Sequence, residues 1–190
     1  MLNLEKLSTN LIGRHQAYNS ATAIMTFLIF LEEINKTIDT YKIRKALRKV
    51  NWQGRMEILS KTPLVLIDGA HNEEAIKCLS QNLKELFPDK KIYFVMAILR
   101  DKNLKSIIKN ICDVSYKIYI SKNKSTRAAE IEDQVKFVQQ DHNNYEIISD
   151  VVKATQKAIS EAQEEDVIVI SGSLYTISEV LKAEEYIFNV

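Results

Sequence analysis

At 190 residues, with 46% hydrophobic and 27% charged side chains, the chain can bury one good core with a small appendage. No run of about 18 apolar residues is present to span a membrane, and Met1-Leu2-Asn3-Leu4-Glu5 lacks the basic-then-apolar pattern of a signal peptide. The net charge of +1 hides an asymmetry, because residues 1–50 hold eight Lys or Arg against four Asp or Glu while the remainder is mildly acidic. Lys42, Arg44, Lys45, Arg48 and Lys49 supply most of that excess and read as one solvated helix face. Without interleaved aromatics or a recognition motif they do not indicate a nucleic-acid partner. Cys78 and Cys112 have no Cys-x-x-Cys spacing and read as buried or half-buried thiols in a reducing, cytoplasmic setting.

In chain order, His15–Glu33 is an almost unbroken run of helix formers and apolar residues, and Thr37–Lys49 predicts a second helix. After Trp52 the pattern changes to short apolar runs, each followed by an amphipathic segment. The pairs are Leu64–Asp68 with Asn72–Phe87, Lys91–Ala97 with Asp101–Cys112, and Ser115–Ile120 with Ala128–Gln139. Tyr145–Ile148 with Asp150–Ala162 and Asp166–Ser171 with Leu174–Ile187 complete the series. Five such units predict a parallel sheet with helices on both faces, since a parallel crossover needs a dozen or more residues. Arg55–Leu59, joined to the first unit by a four-residue link, is expected as an antiparallel partner of Leu64–Asp68. The expectation is an α/β, Rossmann-like, mostly parallel six-stranded sheet over residues 51–190, preceded by a helical segment over 1–50. Ser121–Arg127 is the most loop-like stretch.

The apolar run Leu64–Ile67 ends in Asp68-Gly69-Ala70-His71-Asn72. The carboxyl end of a parallel strand is where open α/β sheets bind ligands, which makes Asp68 a candidate binding carboxylate. Asn72, followed by Glu73 and Glu74, reads as an N-cap with an acidic first turn. Ser171-Gly172-Ser173 ends the last strand at the same edge, where Ser171 and Ser173 offer hydroxyls to an anion or Ser173 serves as an ordinary N-cap. The only glycines are Gly13, Gly54, Gly69 and Gly172. None begins a G-x-x-x-x-G-K-[ST] phosphate loop, and no Gly-x-Gly-x-x-Gly dinucleotide fingerprint exists. No His or Cys pair has metal-ligand spacing, so no metal is assigned to this chain.

Trp52-Gln53-Gly54-Arg55-Met56-Glu57 and Asp68-Gly69-Ala70-His71-Asn72 resemble the paired W-x-G-R-x-E and D-G-A-H-N signatures of the folylpolyglutamate synthase and dihydrofolate synthase family, within the Mur ligase superfamily. Gly13-Arg14-His15-Gln16-Ala17-Tyr18-Asn19-Ser20-Ala21 resembles that family's G-x-H-Q-x-x-N-A stretch, with Ser20 where Ala is usual. The three occur in the family's order. The resemblance implies an ATP-dependent ligase that joins glutamate to a folate or dihydropteroate carboxylate. It places residues 1–50 with the last helices of an ATPase domain and 51–190 with the carboxy-terminal domain. The phosphate loop, the magnesium ligands and a modified lysine are expected in an amino-terminal domain that this chain lacks, so the chain alone is expected to be inactive.

By the same resemblance, Asn19 contacts the adenine end of ATP, Arg55 reaches its phosphates and Asp68 meets the nucleoside. The plain alternatives are a helix-surface amide for Asn19 and an ion pair with Glu57 for Arg55. Arg55 and Asp68 are expected on paired strands at one sheet edge, with both side chains open to solvent. His71 touches substrate or orders its loop; the sequence assigns His15 no role, a structural partner near the domain junction being as good a reading as a ligand contact. A non-catalytic binding or assembly module with the same fold is the alternative reading. Ile24, Phe27, Leu28 and Leu31 exceed what one docking face requires, as expected if they normally bury against the ATPase domain, which predicts self-association or fraying of the helical segment in the chain alone.

Overall fold

Four short runs, Leu64–Ile67 (β2), Ile92–Met96 (β3), Lys117–Ile120 (β4) and Val167–Ser171 (β6), are apolar on both sides of the strand, and each is buried along nearly its whole length. A strand with no polar face has to be covered twice, and parallel sheets meet that need with crossover helices. The computed structural model describes residues 5–37 and 39–188. In it these strands, with β1 (Glu57–Lys61) and β5 (Tyr145–Ile147), form one sheet in the order β1-β2-β6-β3-β4-β5. Every neighbouring pair is parallel except β1 with β2. The predicted six-stranded α/β sheet is the observed one. Tertiary contacts divide the chain after Arg55 into two units, with Trp52 to Arg55 grouped with the helices.

Alternation along the strands separates two cores. On one face Val65, Ile67, Tyr93, Val95, Tyr119, Ile168 and Ile170 pack with α6 (Val151–Glu161), α7 (Leu174–Lys182) and α8 (Glu184–Phe188). The intervening residues, among them Leu66, Phe94, Met96, Ile118 and Val169, are buried on the other face. There α3 (Glu73–Leu86), α4 (Leu104–Cys112) and α5 (Ile131–Asp141) pack side by side and bury Ile76, Leu79, Leu83, Ile107, Ile108 and Ile111. Fully burying a side chain of this size contributes roughly 1.5–3 kcal/mol, so these two layers dominate the stability of the unit. Asn72, Asn103, Asp150 and Ser173 cap α3, α4, α6 and α7 by accepting a backbone N–H from the first turn. The expected helix Leu174–Ile187 is two helices, broken at Ala183.

The amino-terminal unit contains α1 (Arg14–Glu33) and α2 (Thr40–Lys49). Asp39 caps α2 through bonds from the Tyr41 and Lys42 N–H groups. Ile38, within the second expected helix, and Met1 to Leu4, read above for a leader, lie outside the described residues. Among the described residues no helix is long and apolar enough to cross a membrane. Both cysteines are free; Cys78 is half-buried and Cys112 buried, and burial pushes the Cys112 thiol up to about 12.

At the amino-terminal end of the sheet, the Lys117 ammonium donates to Glu146 at 2.9 Å and to Glu161 at 2.7 Å. The fully buried Tyr119 hydroxyl donates to the same Glu161 oxygen at 2.8 Å, and Lys157 reaches the other at 2.9 Å. These bonds join α6 to β4 and β5. Hydrogen bonding from Lys117, then from Lys157 and Tyr119, outweighs burial and lowers the Glu161 pKa from 4.5 to about 2. Burial opposes the Lys117 ammonium, but its two carboxylate partners prevail and raise its pKa. A depressed carboxyl contributes stability that is present above about pH 4.5 and is lost as pH falls through about 2. Glu161→Gln should therefore destabilise the fold at neutral pH by on the order of 1–2 kcal/mol. Thermal melts of both proteins from pH 7 to pH 2 should converge as the pH falls below 4.5, and a pH-independent gap would refute this assignment.

Candidate functional site

Because β2 and β6 are parallel neighbours, their carboxyl ends bring the Asp68–Asn72 and Ser171–Ser173 turns together. The Asp68 N–H donates to Ile170 O at 3.0 Å, the Gly172 N–H to Ala70 O at 3.1 Å, and the Ser171 hydroxyl to the same Ala70 oxygen at 3.2 Å. Gly172 stands at φ +112°, where a Cβ would lie 2.9 Å from Ala97 O, so only glycine lets the chain pass that close to β3.

Asp68 is 7% exposed. Its Oδ2 accepts the Met56 N–H at 2.9 Å and its Oδ1 accepts the Ala70 N–H at 2.8 Å. Met56 is buried at φ +45°, a left-handed conformation costly for a side chain of its size, and the bond to Asp68 holds it there. The expectation that Asp68 faces open solvent is thus corrected: the carboxylate is turned inward to fix the start of the hairpin and the turn after β2. β1 begins at Glu57, so Arg55, which is exposed, precedes the strand and does not begin it.

The half-buried His71 ring donates from Nδ1 to Gly69 O at 2.8 Å, which sets the tautomer and clamps the turn. Asn72 caps α3 by accepting the Ala75 N–H at 2.8 Å. Ser171 is wholly buried, and Ser173, 1% exposed, accepts the Thr176 N–H at 3.1 Å as the N-cap of α7. Both hydroxyls are engaged within the protein, so Ser173 takes the capping role. Asn19, exposed on α1, donates one amide N–H to the buried Gln16 at 3.1 Å.

Sequence reasoning missed the polar layer beneath these turns. Ala97 O, at the end of β3, accepts from the Thr176 hydroxyl at 2.7 Å and from Asn123 Nδ2 at 3.3 Å, and the same Nδ2 also reaches Ser173 Oγ at 3.1 Å. Gln134 Oε1 accepts the Ile98 N–H at 3.3 Å, and its Nε2 donates to Ser121 O at 2.9 Å. Asn123, Gln134 and Thr176 are each 2% exposed or less. Buried amides require partners on both ends, and here the partners are the backbone groups left over where the strands stop.

The loops after β3 and β4 carry Arg100, Lys102, Lys122, Lys124 and Arg127 above this layer. Arg127 binds Asp101 at 2.6 Å, Lys102 lies 3.6 Å from the same oxygen, and Lys122 binds Glu130 at 2.5 Å. The hydrogen bond from Arg127 holds the Asp101 carboxyl below its ordinary range. The Lys-rich composition of residues 121–127 was the available signal; its position above a strand end was not. Planar Arg and flexible Lys donors beside a strand end suit recognition of carboxylates. Among the described residues no three of His, Cys, Asp and Glu come together as metal ligands.

Residues 54–174 match the family model for the Mur ligase glutamate ligase domain. The chain is 31% identical over 179 residues to the dihydrofolate synthase/folylpolyglutamate synthase of Bacillus subtilis, covering 94% of this chain and 41% of that protein. It is 31% identical over 183 residues to the folylpolyglutamate synthase of Lacticaseibacillus casei, covering 93% of this chain and 40% of the relative. The solved structure of E. coli FolC in complex with DHPP and ADP superposes with a TM-score of 0.83 at 25% identity, over 96% of this chain and 41% of that one. The chain therefore spans about two fifths of the length of these relatives. With its sheet order, its strand-end turns and a domain match over most of its length, this chain belongs to the Mur ligase family through its glutamate ligase domain.

Proposed function

We propose that this chain provides the glutamate-binding part, and a share of the nucleotide-binding part, of an ATP-dependent ligase that adds glutamate to folate or dihydropteroate. The observation that carries this reading is the match of residues 54–174 to a glutamate ligase domain, with cationic loops above the carboxyl ends of β3 and β4. In such a ligase a folate carboxylate takes the γ-phosphoryl group of ATP, and the glutamate amine displaces phosphate from the acyl phosphate to form the amide. Catalysis of this kind rests on positioning and on neutralising phosphoryl charge.

In this scheme Arg55 steadies phosphate charge with a permanently charged fork, and Asn19 offers an amide to the adenine edge. Asp68 serves the nucleoside site by fixing the turn that would meet it, and His71 keeps that turn in shape. Lys102 and Arg127 hold the carboxylates of incoming glutamate by exchanging for them the Asp101 carboxylate that both meet, a role for which the inward-facing Ser171 and Ser173 hydroxyls are badly placed. The sequence has no phosphate loop and the described residues offer no metal cluster, so the phosphate cradle and the magnesium site are assigned to a separate ATPase domain. A cytoplasmic location fits this reading, since folate, ATP and glutamate meet there.

Placing this chain in the corresponding segment of the Bacillus subtilis relative and measuring phosphate release with ATP, glutamate and folate tests the proposal. Turnover is expected from the chimera and none above background from the chain alone. A chimera that folds but stays silent, or robust turnover by the isolated chain, would sink it. In the active chimera Arg55→Ala should cost about 2–4 kcal/mol of transition-state stabilisation, the range for one preorganised charged donor, with an unchanged melting temperature. Arg127→Ala should raise the KM for glutamate and leave the KM for ATP alone; equal effects on both would move Arg127 out of the glutamate site. Asp68→Ala should lower stability by about 2–4 kcal/mol, because two backbone N–H groups lose a buried charged acceptor. A melt indistinguishable from the parent would show that the inward bonds carry no weight.

A further inference from the structure

The loops that follow β3 and β4 are joined through their backbones before their side chains meet. The Arg100 N–H donates to Arg127 O and the Ala129 N–H to Ile98 O, each at 2.9 Å, and Leu99 stands opposite Ala128 as an antiparallel bridge. Leu99, Ala128 and Ala129 are buried at this junction. Beyond it each loop closes on itself: the Lys102 N–H donates to Leu99 O at 3.2 Å, and the Arg127 N–H to Ser125 Oγ at 3.2 Å. The backbone that carries Asp101, Lys102 and Arg127 is therefore fixed, while all three side chains stay partly open to water.

One oxygen occupies both cations. Asp101 Oδ2 accepts a hydrogen bond from Arg127 Nη2 at 2.6 Å and lies 3.6 Å from Lys102 Nζ. A carboxylate holds a guanidinium most firmly through two parallel hydrogen bonds, and Asp101 makes one. The pair is also exposed, where such contacts contribute little. The two cations thus carry a carboxylate already, held loosely enough for one with better geometry to replace it.

We propose that Asp101 is an internal competitor for the carboxylate of the incoming amino acid, closing the Lys102–Arg127 site while it is empty and swinging away when substrate binds. This role rests on the reading of Lys102 and Arg127 as the glutamate carboxylate site, and it sets how tightly that site binds. Two neighbouring cations left bare would attract any anion, nucleotide phosphate included. A tethered carboxylate screens them until a ligand offers two acceptor oxygens in one plane. The consequence is lower affinity, because each binding event first breaks the Asp101 pair.

Titration of the full chain with L-glutamate, followed by the backbone amide NMR shifts of Arg100, Lys102, Arg127 and Ala128, tests this. The parent chain is expected to bind weakly. Asp101→Asn, which keeps the shape of the side chain and removes its charge, should tighten binding by about twofold to fivefold, the range for an exposed ion pair. Asp101→Glu, which keeps the charge, should bind no more tightly than the parent, and Arg127→Ala should weaken binding with or without Asp101→Asn. A side chain that merely shaped its loop would loosen binding when altered, so tightening separates competition from a structural role. Unchanged or weaker binding by Asp101→Asn, with Arg127→Ala still weakening it, overturns the competitor and leaves the glutamate site standing. Binding indifferent to Arg127→Ala, or absent from both the parent and Asp101→Asn, overturns the two together. Should Asp101→Asn fail to fold, Asp101→Ser takes its place with the same expected sign.

Discussion

The Asp68 carboxylate accepts the N–H groups of Met56 and Ala70 and is itself almost wholly buried, so those two bonds set where the β1–β2 hairpin starts and how the chain leaves β2 for α3. Burying a charged carboxylate without partners would be costly. The chain meets that cost with backbone donors that have no other place in the sheet ladder, and in return Met56 stays in a left-handed conformation. The Ala70 carbonyl, held by the same turn, then receives Gly172 and Ser171, so the ends of two neighbouring strands become one rigid surface.

A second layer of the same kind underlies the adjoining strands. Where β3 and β4 stop, the carbonyls of Ala97 and Ser121 and the Ile98 N–H have no ladder partner, and the side chains of Thr176, Asn123 and Gln134 satisfy them. Each buried amide is used at both its donor and its acceptor end, or shared with a capping hydroxyl. Such a network locks register, because sliding one strand past another would leave several groups unpaired. The loops above it can therefore hold exposed charges in place without themselves being part of the core. At the opposite end of the sheet, Lys117, Glu146, Glu161 and Tyr119 form a different lock, one built on charge pairing.

The strands β2, β3, β4 and β6 were legible because an uninterrupted apolar run of three to five residues followed by an amphipathic segment leaves few alternatives. Helix starts were equally legible at Asn72, Asp150 and Ser173, where a short polar side chain precedes an apolar period. The break at Ala183 was not, since alanine carries no stop signal and the apolar period runs through it. Arg55 was placed on β1 because nothing local distinguishes it from Glu57. The left-handed Met56 between them, which ends the possibility of a strand there, depends on a carboxylate twelve residues away.

The amino-acid sequence by itself determined the α/β class, the six strands, most helix boundaries and the position of the polar turns at strand ends, because these follow from local periodicity and short-range capping. Only the tertiary structure decided which way the polar side chains of those turns point. Asp68, Ser171 and Ser173 look like ligand-facing groups in a linear reading, but each lies within hydrogen-bond reach of backbone left unpaired by a neighbouring strand or helix, and burial makes satisfying that backbone the stronger demand. Lys102 and Arg127 look like ordinary loop charges until the strand order sets the two loops side by side, which no pattern within either loop records.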